Sequence, residues 1–123
     1  MNAGYFDGSV LRQPMPSLGY VLGDEGSGAD LGKQVLRDAL YGKLPLETRA
    51  ELFPEGLDLA GVIEGAYRSA RPQAYLASFA LNVAEHIDDA YVYGMVLGRF
   101  RALAELICAF FPPEQRKRMY RLI

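Results

Sequence analysis

A single cysteine, Cys108, and a single histidine, His86, are all that this 123-residue chain offers to a soft metal. One thiol cannot close an internal disulfide, and one thiol with one distant imidazole cannot build a structural zinc site or an iron–sulfur cluster. Cys108 is expected to be a small buried hydrophobe in a helix, and a reducing cytoplasm suits the chain. There is no excess of charge either: 13 Lys and Arg against 15 Asp and Glu leave −2. That balance gives no electrostatic reason to expect a nucleic acid or an anionic membrane as partner. The opening residues MNAGYFDGSV lack a basic segment followed by an apolar stretch, so they do not form a secretory signal. The most apolar region, 90–111, is interrupted by Arg99, Arg101 and Glu105, and such charges are costly at a bilayer centre. It is expected to be a core helix, not a membrane span. No internal repeat or low-complexity tract is present.

What the chain does have is apolar material for one modest core, 50% of its residues, and 13 glycines, of which 6 fall in the first 28 positions. The amino-terminal part is therefore expected to be turns and loops in which backbone passes close to something. Asp7-Gly8, between Tyr5-Phe6 and Val10-Leu11, is a hairpin signal. Pro14 and Pro16 limit further pairing, so Tyr20-Val21-Leu22 is expected to be at most a short strand.

From Ser27 the period turns helical. Ser27 and Asp30 have the form of a capping box, and Leu31, Val35, Leu36, Ala39 and Leu40 line one face of a helix over 28–41 that Gly42 is placed to end. Pro45 and Pro54 bracket a connector with about two turns of helix at 47–52. Asp58 caps a helix with Leu59, Val62, Ile63, Ala66 and Tyr67 at 3,4 spacing, and Pro72 opens another with Tyr75, Leu76, Phe79, Ala80 and Val83 on one face. Asp88 or Asp89 caps the longest, 90–111, stopped by Pro112-Pro113. At 1.5 Å per residue it spans roughly 33 Å. A last short helix, 114–122, carries Arg116, Lys117, Arg118 and Arg121, most simply a solvated basic face. The aromatics at 75, 79, 91, 93, 100, 110 and 111 follow helical spacing and are expected in the core. The fold class is α+β, mainly α: a short hairpin or strands, then five to six helices.

Chemistry concentrates in Gly23-Asp24-Glu25-Gly26-Ser27-Gly28, two carboxylates between glycines at a helix start. Free amides there favour anionic or hydroxyl ligands, and a carboxylate such as Asp24 is an acceptor able to orient a sugar hydroxyl. An ordinary glycine turn ending in a helix cap explains the same residues. The ligand spacing of a twelve-residue calcium loop is missing. Glu25 could act on a magnesium-bound water, but a solvent-facing carboxylate is the simpler expectation.

The run Pro16 to Gly28 (PSLGYVLGDEGSG), with Leu31-Gly32-Lys33 after it, resembles the N-acetylglucosamine kinase and BadF/BadG/BcrA/BcrD-type ATPase family, within the actin-like, ribonuclease-H-like kinase superfamily. A second run, 66–79 (AYRSARPQAYLASF), resembles the helical part that follows in bacterial members. With Asp88-Asp89 ahead of the long helix, the likeness covers most of 2–111.

The resemblance implies an ATP- and magnesium-dependent phosphotransferase in which Asp24 holds hydroxyls of an amino sugar such as N-acetylglucosamine. Ser17, Leu18 and Gly19 would add contacts to the same ligand. Leu18 stands where relatives have an aromatic residue. Asn2 would be the last residue of the family's Gly-Thr-Gly-Ser-Asn phosphate loop, the rest of which would precede Met1. The other phosphate loop, the adenosine loop and the upstream aspartate base are not among these residues. The resemblance thus implies a single partial domain: strands and sugar-binding loop at 1–27, a helical part at 28–111 and a divergent basic tail at 112–123. The chain would be cut or shifted out of frame near Pro112, inactive alone, without a cofactor of its own, and partnered by the missing lobe or a second copy. Two alternatives stand beside this: a BadF-type activator of a dehydratase, which would need cysteines for a shared cluster, and a non-catalytic helical interaction module.

Overall fold

The computed structural model describes residues 2–111, 113–116 and 119–122, with the side chains of 2, 115, 116 and 119–122 outside that description. The fold is α+β and mainly helical, as the sequence predicts, with two strands ahead of the helices and a third after them. β1 (Asn2–Phe6) and β2 (Leu11–Arg12) form the expected hairpin, in register at Tyr5 with Arg12 and Phe6 with Leu11. Asp7 builds its turn by accepting the amides of Ser9 and Val10, while Gly8 takes φ +102°. The amide of Val10, the guanidinium of Arg12 and the amide of Ser9 together hold the Asp7 carboxyl down at about 2.

The helices follow: α1 (Gly19–Leu22), α2 (Gly28–Leu40), α3 (Leu46–Leu52), α4 (Leu59–Ile63), α5 (Pro72–Ala77), α6 (Phe79–Glu85), α7 (Ala90–Phe110) and α8 (Pro113–Arg116). The strand β3 (Met119–Leu122) then runs antiparallel to the other edge of β1, giving the order β2-β1-β3. Asp58 caps α4 through the Gly61 amide, and Asp89, rather than Asp88, caps α7 through the amides of Tyr91 and Val92.

Several local expectations are corrected. Tyr20-Val21-Leu22 is helical, not a strand: the Gly23 amide closes a turn onto the Gly19 carbonyl at 2.9 Å, and Lys33 Nζ binds the Tyr20 carbonyl at 3.0 Å. The helix expected from Pro72 through Val83 is broken at Ser78, whose hydroxyl and amide both donate to the Tyr75 carbonyl, at 2.6 and 3.2 Å. α4 runs into a π-helical stretch, Glu64–Arg68, where Gly65 packs under the Tyr75 ring. The wider turn breaks the 3,4 spacing beyond Ile63 and leaves Tyr67 exposed; Leu59 and Ile63 of the expected inward face are exposed as well, and Val62 is buried. The helix expected over 114–122 gives way to α8 and β3, because the tail finds an open strand edge on β1, whose ladder bonds outweigh a weak local preference. Lys117 and Arg118 of the basic tail lie outside the described residues.

Two apolar clusters hold the fold. The larger joins Val35, Leu36 and Ala39 of α2 to Leu52, Val62, Leu76, Val83, Val92 and Val96. The smaller joins Ala3 of β1, Met15 and Phe111, with Tyr5, Leu106 and Ile107 packed on it. Phe111 is fully buried and meets the Tyr5 ring edge-on at 5.9 Å. α7 therefore spans both clusters, its first half in one and its far end in the other. Its remaining surface is open: Tyr93, Phe100, Phe110 and Cys108 are exposed, against the expectation that they are core. α7 is apolar nearly all round, and only the faces that meet other elements are covered. No helix among the described residues is long and apolar enough to cross a membrane.

Candidate functional site

The glycine loop lies where the two clusters meet. Asp24 adopts φ +60° and Gly26 φ +80°, with the Ser27 amide bonded to the Asp24 carbonyl at 2.9 Å. Aspartate is among the few side chains that tolerate a left-handed backbone, so one residue here provides both the turn and a carboxylate. Gly23 is buried because a methyl group there would sit 3.0 Å from Leu18 Cβ.

Ser27 caps α2 as predicted, its hydroxyl accepting the Asp30 amide at 3.1 Å. The Asp30 carboxylate reaches back to the Gly26 amide at 2.9 Å, one residue further than a simple capping box. The same carboxylate receives Arg99 Nε at 2.8 Å and Arg99 Nη2 at 3.1 Å. Asp30 is only 4% exposed, so a buried charge is matched by a bidentate guanidinium and one backbone amide. The Asp30 hydrogen bonds raise the Arg99 guanidinium above its ordinary value, with Glu25 adding a smaller attraction. On the other side of the loop, a methyl on Gly26 would lie 3.1 Å from the Phe100 ring, so α7 meets the loop at Phe100 and reaches Asp30 of α2 through the residue before it, Arg99.

Asp24 and Glu25 line a cleft of about 170 Å³ with Leu18, Gly23, Met15 and Pro16, closed on the far side by Leu106 and Phe110 of α7. Of the residues predicted for the site, Asp24 and Leu18 are thus brought together. Ser17 and Gly19 are exposed and stand beside the cleft without lining it. Asn2 heads β1 opposite Leu122, and its side chain lies outside the described residues. Glu25, expected in solvent, is half-buried in the cleft wall. His86 is engaged locally, its Nδ1 at 2.8 Å from the Asn82 carbonyl. Among the described residues no three His, Cys, Asp or Glu side chains gather as a metal site.

Sequence reasoning missed Arg99, although an arginine in a largely apolar helix is a signal that a buried carboxylate awaits it. It also missed a second polar tie between the same helices. Tyr91 donates to Asp38 Oδ2 at 2.8 Å and Gln34 donates to Asp38 Oδ1 at 2.9 Å, beside an open groove of about 540 Å³. Burial, then Asp38, pushes the Tyr91 hydroxyl up to about 12. A further groove of about 540 Å³ is lined by Val21, Tyr41, Leu59, Ile63 and Tyr67, with Lys33 and Arg37 on one wall.

No protein-family model matches the chain, and a search of curated proteins finds no match. Among solved structures, a Porphyromonas gingivalis protein provisionally named an N-acetylglucosamine kinase superposes with a TM-score of 0.72 at 39% identity. The match covers 80% of this chain and 35% of that one, so this chain spans about a third of the length of its neighbour. Likeness in sequence and in backbone together show a kinase-like fold.

Proposed function

We propose that the chain is the sugar-binding side of an ATP-dependent amino-sugar kinase, with Asp24 as acceptor for hydroxyls of N-acetylglucosamine or a close relative. The observation that carries this is the Asp24 loop itself: a carboxylate on a left-handed backbone, braced from α2 and α7, at the mouth of a cleft with apolar walls. A pyranose offers hydroxyl donors at its rim and C–H groups on its faces. Asp24 suits the first, and Met15, Leu106 and Phe110 suit the second. Ligand pockets commonly run to roughly 300–1,000 Å³, so the cleft is one wall of a site. Leu18 and the exposed Ser17 and Gly19 stand at its edge, and Asn2 belongs to the neighbouring strand.

Phosphoryl transfer depends on phosphates, metal and nucleophile held together. Among the described residues no three His, Cys, Asp or Glu side chains gather as a ligand set for magnesium. ATP and magnesium belong, in this reading, to the rest of an intact kinase in a reducing cytoplasm, and the chain alone transfers no phosphate. Calorimetry with N-acetylglucosamine is expected to show binding that weakens about tenfold or more in Asp24→Ala, the range of a hydrogen bond to a charged group. Silence from the native chain, or equal binding by both, removes the sugar site. Measurable sugar phosphate formed from ATP would overturn the claim of inactivity.

A second reading, a helical interaction module, draws on one observation. Val21, Tyr41 and Tyr67 are 67%, 74% and 77% exposed around a single groove. Apolar exposure clustered in this way is a mark of interaction surfaces. Sedimentation of the chain over a range of concentrations separates self-association through this groove from a monomer.

A further inference from the structure

The contact between Arg99 and Asp30 joins residues 69 positions apart and ends on the loop that carries Asp24. Its atoms form a short relay. Arg99 Nε and the Gly26 amide both donate to the same oxygen, Asp30 Oδ2, at 2.8 and 2.9 Å, while Arg99 Nη2 donates to the other oxygen at 3.1 Å. Gly26 and Asp24 are the two left-handed residues of the loop, and the Ser27 amide, which follows Gly26, closes the turn onto the Asp24 carbonyl. Without a fixed Asp30 the Gly26 amide loses its acceptor, and the α2 contacts that remain, the Asp30 and Leu31 amides on Ser27, hold only the last residue of the loop.

We propose that Arg99 is a positioning residue for the Asp24 site. Through its paired hydrogen bonds to Asp30 it locks residues 23–27 in the geometry in which Asp24 accepts a ligand hydroxyl, and it makes α7 part of the site. The ligand named here rests on the sugar reading above; the locking of the loop does not. A merely structural tie between α2 and α7 is the rival account, and the fold contains its own control. Tyr91 and Asp38 tie the same two helices without touching the loop.

The test uses the full chain and three variants, Arg99→Met, Arg99→Lys and Tyr91→Phe, each held well below its melting temperature. Amide hydrogen exchange at Gly26 reports the lock, and calorimetry with N-acetylglucosamine reports the site. In Arg99→Met, exchange at Gly26 is expected to quicken about tenfold or more while amides in the middle of α2, such as Val35 and Leu36, keep their protection. Sugar affinity falls about tenfold in the same variant. Arg99→Lys, which keeps the charge but not the fork, recovers part of both, and Tyr91→Phe leaves both within about twofold. Unchanged Gly26 exchange in Arg99→Met, or an equal loss in Tyr91→Phe, overturns the proposal. If Arg99→Met does not fold, Arg99→Lys decides, because a loop indifferent to the fork would exchange as in the native chain. If the native chain binds no sugar, the sugar reading falls and Gly26 exchange alone decides whether Arg99 locks the loop.

Discussion

Replacing Gly32 by alanine would place a methyl carbon 1.8 Å from the Leu76 carbonyl oxygen and 2.7 Å from its carbon. Ordinary contact begins near 3.4 Å. The obstacle is backbone, so no rotamer change relieves it, and α2 and α5 must separate by roughly 1.5 Å. That separation loosens Leu76 against Val35 and Leu36 in the main cluster. Overpacking of this kind costs about 1–3 kcal/mol, with a rigid backbone at the upper end, and alanine returns about 1 kcal/mol of helix propensity. The net expectation is a loss of about 2 kcal/mol. For a chain of this size that corresponds to a melting temperature lower by roughly 6–12 °C. Gly94 and Gly98 of α7 provide the contrast, because a methyl at either meets nothing within 4 Å. Alanine there should be neutral or stabilising by up to about 1 kcal/mol. Urea unfolding followed by circular dichroism compares the three. Gly32→Ala as stable as the native chain, or as stable as Gly94→Ala and Gly98→Ala, would refute the close crossing of α2 and α5.

Other expectations concern charge and the second cluster. The Val92 amide, then the Thr48 hydroxyl, holds the Asp89 carboxyl below its usual range. Its contribution is therefore present above about pH 4 and lost as pH falls through the lowered folded value, so the stability gap between native and Asp89→Ala protein closes in acid. Tyr91 runs the other way: with its hydroxyl raised to about 12, its contribution is full below about pH 10 and lost as pH rises from there. Chemical denaturation from pH 9 upward, on an approximate scale of one-unit steps, should show less alkaline loss in Tyr91→Phe than in the native chain. Phe111→Ala removes a fully buried ring that joins α7 to β1 and should cost about 3–5 kcal/mol in urea unfolding; a cost below about 1 kcal/mol would argue against that packing.

Features set by residues close together in the chain were legible before the structure. The Ser27 cap on α2, the Asp58 and Asp89 caps, Pro72 in a first turn and the Asp7-Gly8 hairpin are all contacts within a few residues. Features set at long range were not. Asp30 looked like a capping residue because Arg99 is 69 positions away, and the tail looked helical because the β1 edge it pairs with is at the opposite end of the chain. The exposure of Cys108, Phe100 and Tyr93 was illegible for another reason. A helix apolar on every side does not announce which side will be covered. Inside the candidate site the division is the same: Asp24 and its glycines stood out as a local pattern, whereas the walls from Leu106 and Phe110 depend on where α7 comes to lie.

In the proposed reading the Asp24 loop faces a sugar. Titration of isotope-labelled chain with N-acetylglucosamine, followed by amide chemical shifts, tests it most directly because the spectrum reports place as well as affinity. Shifts are expected at Gly23, Asp24, Glu25 and Gly26, with Leu18, Leu106 and Phe110 responding, and the same spectrum unmoved in Asp24→Ala. Shifts centred instead on Tyr91 and Gly94, or no shifts at millimolar sugar, would contradict it.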